Sequence, residues 1–290
     1  MHTIPTTPPD SSSSTSTYTS VHAISSKVLD KLQTSAGGYY AAMPKLAHCA
    51  EFFAGRHDGN MLVVKGQDDN QEFIIRGVFQ ISRNDFYFTP DANFDPANVF
   101  HGHLADFSSD DFSAVLDNLR AFEKLVPSKK DYETFSVIYD SLGQRSIKLT
   151  HNLFDIKTFD DENQHDATDA RRADSNDSTS DDLGPEFNFA IWPVAERCKD
   201  PLQELLSTHD IQPLPAYDEN HNFIPPHLYE SKLKGALVEV HMAFCHHRII
   251  KSKCDVFNAI LRELIILSPP AALPSSPFKH RCLAAGSCTE

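Results

Sequence analysis

No stretch of this chain approaches the roughly 20 consecutive apolar residues that a membrane-spanning helix needs. The first twenty residues, MHTIPTTPPDSSSSTSTYTS, lack the basic and apolar regions of a secretory signal. The expectation is an intracellular protein, cytoplasmic or nuclear and not secreted, with no membrane partner. There is no Walker motif, no GxGxxG, no HExxH and no GxSxG. That removes the readable signatures of phosphate cradling, dinucleotide binding, zinc proteolysis and serine hydrolysis. The 6 cysteines form no CxxC pair, and reduced, partly buried thiols are expected. Basic charge is in deficit: 26 Lys and Arg stand against 40 Asp and Glu, a formal net charge of −14. This balance argues against a chain coated in nucleic acid but leaves room for a local basic surface.

The acidity is concentrated. Between Asp155 and Glu186, eleven acids face three bases, so this segment holds −8 and the remainder of the chain −6. Residues 158–186 are almost empty of large apolar side chains and cannot bury enough area to offset their ordering entropy. They read as an acidic disordered insertion, deletable over 159–184 with little loss of fold. Residues 1–20 read as a disordered Ser/Thr/Pro tail and 269–290 as a disordered Pro/Ser tail. The folded part is then expected in two pieces, 21–157 and 187–268.

The 3.6-residue spacing of Phe112, Val115, Leu116, Leu119, Phe122 and Leu125 predicts a helix over Asp110–Val126, capped by Ser109 and ended by Pro127. A second, shorter helix is expected after Asp200, with Pro201 in its first turn and Leu202, Leu205 and Leu206 inward. Val21–Leu32 has the spacing of a further short helix, and Tyr39–Phe53 is partly helical in period. Met61–Lys65 and Glu72–Ile81 read as strands around a turn at Gly66–Asn70, with Phe86–Phe88 as a separate short strand. Phe135–Tyr139 with Ser146–Leu149, and Leu214–Tyr217 with Asn222–Ile224, are hairpin candidates.

The densest apolar pattern is Lys232–Pro270. Val238, Val240, Met242 and Phe244 share one parity, which predicts a strand. The run Val256–Leu267 fits a strand or a helix; two antiparallel strands joined by a basic loop is the preferred reading. The stretch LPAYDENHNFIPPHLYESKLKGALVEVH, continued through DVFNAILRELIILSPP, resembles the C-terminal part of a large group of uncharacterised fungal proteins. Such chains carry a GAxVEVxF strand and a final IxxLxPP run. The resemblance spans about a quarter of this chain and implies no activity. The fold class expected overall is α+β: an antiparallel sheet, or its closed form as a small barrel, with a few packed helices.

Three groups of residues carry candidate chemistry. Lys232, Lys234, Arg248, Lys251 and Lys253 are opposed only by Glu239 between Lys232 and Lys253. With nearby aromatics they suit the backbone of a single-stranded nucleic acid. Cys245 and His247 share a strand face with His241 and are candidate zinc ligands, with His48, Cys49, His101, His103 and Cys254 as distant partners. Ser276, in Ser-Pro-Phe-Lys, has the form of a proline-directed phosphorylation site. The leading expectation is a non-enzymatic binding or accessory protein with a protein or single-stranded nucleic-acid partner and no cofactor. The alternative is an enzyme with an unrecognised site, metal-dependent through the His/Cys cluster.

Overall fold

The computed structural model describes residues 30–32, 37–55, 59–67, 69–91, 99–105, 109–141, 144–157 and 184–271. The expected N-terminal tail, the expected C-terminal tail beyond 271, most of the acidic insertion, most of the Val21–Leu32 helix and Ser276 lie outside them. The strands are β1 (Tyr39–Tyr40), β2 (Ala50–Ala54), β3 (Asn60–Val64), β4 (Ile75–Phe86), β5 (Val99–Ala105), β6 (Glu133–Phe135), β7 (Ile138–Ser141), β8 (Gln144–Asn152), β9 (Phe154–Ile156), β10 (His209–Ile211), β11 (Ala216–Tyr217), β12 (Leu237–Ile249) and β13 (Cys254–Ser268). Helix α1 (Ser109–Glu123) joins β5 to β6, α2 (Glu196–Leu205) precedes β10, and α3 (Tyr229–Leu233) leads into β12.

The long hairpin β12–β13 is the spine. Val238, Val240, Met242 and Phe244 are fully buried on one face of β12, as the alternation predicts. Val256–Leu267 is strand rather than helix, and it carries a bulge. His241 faces Glu263 while Met242 faces Leu261, so Arg262 is the extra residue. Before the bulge Phe257, Ala259 and Leu261 point inward; after it Leu264 and Ile266 do. A single inserted residue therefore switches the parity of the strand. Arg262, turned outward, pairs with Glu72.

Around this spine the pairings form a ring. β4 pairs antiparallel with β5, β5 with β8, β13 with β12, and β12 with β4. β8 runs parallel to β13. Five strands in this order, with one parallel pair between the third and the last, have the topology of the oligonucleotide/oligosaccharide-binding (OB) fold. The ring is partly open rather than a closed barrel, because β8 and β13 meet at only Ala259–Leu149 and Ile260–Thr150. Beyond the ring, β12 continues onto β3, and β3 onto β2.

Helix α1 packs on this core through Phe112, Val115, Leu116, Leu119 and Phe122, the predicted face. Its Asn118 amide donates to the carbonyls of Ala41 and Met43, tying it to the chain before β2. The helix ends at Glu123, ahead of Pro127. Three local expectations are corrected. Tyr39–Phe53 holds two strands and one 3-10 turn, because its apolar residues pair with β4 and β3. Phe86 is the end of β4, which runs unbroken from Ile75. Helix α2 begins at Glu196 and encloses Pro201, whose ring faces solvent and which removes a single internal hydrogen bond.

Candidate functional site

The basic residues of Lys232–Lys253 separate in space. Lys232 and Lys234 stand at α3, where Lys234 pairs with Glu230 at 2.8 Å. Arg248, Lys251 and Lys253 lie at the other end of β12, roughly 40 Å away at the usual strand rise. Arg248 is a strut. It donates to Asp255 through Nε at 2.7 Å and Nη2 at 3.1 Å, and to the Pro127 carbonyl at 2.9 Å. Its guanidinium also lies over the Tyr132 ring, 5.6 Å from the centroid. Asp255 and His246 are buried side by side, with His246 Nε2 2.8 Å from Asp255 Oδ1. Asn60 Nδ2 lies 3.3 Å from His246 Nδ1. These partners suit the tautomer with the proton on Nε2. The Arg248 guanidinium holds the Asp255 carboxyl below the usual carboxylate range, against its burial, and His246 adds to that effect. The tip of the hairpin is thereby fixed from behind.

A second basic segment arrives from α1. Glu133 N donates to the Lys253 carbonyl at 3.0 Å, and β6 runs parallel to Cys254–Val256. This brings Ser128–Phe135 (SKKDYETF) beside the tip. Lys129 Nζ lies 5.5 Å from the Tyr132 centroid, so Tyr132 has two cations near its ring. A cavity of about 510 Å³ opens here, lined in part by Arg120, Lys124, Ser128, Thr134 and Phe257. Two nearby acids are already engaged: Glu123 accepts from Ser136 and Val137, and Asp255 from Arg248. Phe135 and Tyr139 are about half exposed, at 49% and 52%. Sequence reasoning missed Lys129 and Lys130. Their signal was two lysines and two aromatics within eight residues after the helix, diluted by Asp131 and Glu133.

Cys245 Sγ and His247 Nε2 do come together, at 3.5 Å. Gly59 makes room for His247: its φ is +77°, and a Cβ there would lie 2.5 Å from His247 Nδ1. Among the described residues no group of three or more His, Cys, Asp or Glu could hold a metal ion. His101 and His103 fall on β5, where only the backbone is described. Cys254 sits beside Ser252 instead, at 3.1 Å.

His241 belongs to a separate charged cluster. Its Nε2 is 2.8 Å from Glu239 and its Nδ1 2.7 Å from Glu263, while Arg76 Nη2 donates to Glu239 at 2.7 Å. Burial pushes the Glu239 pKa up, but the hydrogen bonds from His241 and Arg76 outweigh it and bring it from 4.5 down to about 2. The folded state therefore holds Glu239 ionised where the unfolded state takes up a proton. This stability is complete above pH 4.5 and is lost as pH falls towards 2. Urea titrations between pH 6 and 2 are expected to show a loss of about 3 kcal/mol from this group. Glu239→Gln, weaker at neutral pH, should show a flatter acid limb; an unchanged limb would contradict the assignment.

No family model matches the chain, and no curated protein matches it. Among solved structures, the crystal structure of gp2.5, a single-stranded DNA binding protein encoded by bacteriophage T7, is distantly similar. The match covers 76% of this chain and 100% of that one, at 8% identity and a TM-score of 0.38.

Proposed function

We propose that this is a non-enzymatic binding protein that takes single-stranded nucleic acid along the tip of the β12–β13 hairpin and the adjoining Ser128–Phe135 segment. One observation carries the reading. Two basic segments more than a hundred residues apart in sequence converge, and the Tyr132 ring lies near a cation of each, Lys129 and Arg248. Lysines of this kind neutralise phosphates, and Tyr132 and Phe135 offer surfaces on which bases stack without regard to sequence. The tip also joins the fourth and fifth strands of the ring. In OB folds that loop is one of those that contact oligonucleotides, an analogy at the level of fold.

The test is fluorescence anisotropy with a labelled single-stranded oligonucleotide over a range of salt. Each neutralised phosphate contributes about 0.7 to the slope of log K on log salt. Engagement of Lys124, Lys129, Lys130, Lys251 and Lys253 gives an expected slope of about 3.5. Absence of binding at low salt overturns the reading and leaves a protein partner as the alternative.

A further inference from the structure

We propose that Ile250 is an apolar wedge that enters between bases and opens the end of a nucleic-acid duplex. This rests on the binding surface proposed above. The hairpin tip reads Ile249-Ile250-Lys251-Ser252-Lys253. Ile250 is 76% exposed, the highest exposure among the large apolar residues described, and Ile249 is 44% exposed. Polar and small residues normally fill such turns. Both isoleucines border a shallow hollow with Gly55, Gly59 and His247, and Ile250 still keeps most of its surface in solvent.

The tip is also stiff, as a wedge requires. Ile249 pairs across the hairpin with Cys254, and Lys253 N donates to the Ile250 carbonyl at 3.3 Å. Directly behind them, Arg248 is anchored to Asp255 and to Pro127. Lys251 and Lys253 follow the isoleucine in the same turn and are exposed. They would hold the phosphates on either side of a base step while the side chain takes the place of a neighbouring base. Apolar side chains that insert this way partially unstack the step. Opening is least costly at a junction of single and double strand, where one side of the terminal pair is already unstacked. An anionic membrane would also attract a basic, apolar tip. The aromatics of the adjoining Ser128–Phe135 segment, Tyr132 and Phe135, favour bases.

The experiment uses the full chain and a DNA hairpin with a single-stranded tail, carrying a fluorophore and quencher on its stem. Wild-type protein is expected to open the stem at a temperature where the free hairpin is closed. Ile250→Ser should need about tenfold more protein for the same opening, a clearly larger loss than that of its single-strand affinity. Ile250→Met should retain opening, since it restores apolar bulk. Circular dichroism checks that each variant folds. Equal opening by Ile250→Ser, or an equal loss of opening and single-strand affinity, would overturn the wedge. Single-strand binding by the wild type without any opening would overturn the wedge alone; absence of single-strand binding would overturn the binding surface as well. Binding to phosphatidylserine vesicles, lost in Ile250→Ser, with no stem opening would reassign the tip to membranes.

Discussion

Proline in place of Val240 abolishes the cooperative folding transition. Val240 is fully buried and sits in the middle of β12, opposite Leu264 on one side and Gly77 on the other. A strand paired on both edges has no orientation in which a missing N–H is harmless. Proline removes a ladder hydrogen bond, and its ring crowds the preceding residue. The buried carbonyl left without its partner costs about 1–3 kcal/mol by itself, a sizeable part of the 5–15 kcal/mol by which domains are stable. Loss of valine packing adds to it, and both halves of the ring meet at this strand. Val240→Ala is the control: it keeps the backbone pairing and should cost about 2 kcal/mol. Thermal melts followed by circular dichroism distinguish the two. A cooperative melt of the proline variant within a few degrees of wild type would mean that β12 is not central.

Much of this hairpin was legible in the sequence, and the places where reading failed have physical causes. The period of two from Val238 to Phe244 identified β12 because the extra residue of the bulge, opposite His241 and Met242, lies on β13 and leaves the alternation of β12 unbroken. In β13 the apolar residues of one parity, Val256, Ile260, Leu264 and Ile266, divide between two faces. The bulge at Arg262 makes Val256 and Ile260 face away from the core while Leu264 and Ile266 face it. A bulge leaves no mark in a hydrophobic pattern beyond an apparent error of phase. Helix α1 was legible for the opposite reason, since five of its apolar residues fall on one uninterrupted stripe. Ring closure was not legible. It depends on Leu237–Met242 meeting Ile75–Gln80, a pairing fixed by tertiary packing rather than by either segment. The candidate site followed the same division. Lys251 and Lys253 were visible as a local cluster, whereas Lys129 and Lys130 join them only through β6.

Replacing Lys129, Lys130, Lys251 and Lys253 together with Ser should weaken single-strand binding at least about 100-fold at low salt and lower the salt slope by about 2.8. All four are exposed, so the variant should melt with the wild type. Arg248 is left intact on purpose. Its guanidinium holds the buried Asp255, and its removal would leave a carboxylate paired only with His246 and loosen the tip. A loss of affinity in an Arg248 variant would therefore mix a structural cost with a binding one. Lys232→Ser with Lys234→Ser supplies the opposite control. It removes two positive charges at the far end of β12, so the net charge changes while the tip does not. If binding depends on the tip, this pair should leave the slope nearly unchanged. An equal effect from both sets of lysines would show that binding follows total charge, and the hairpin-tip surface would then have to be abandoned.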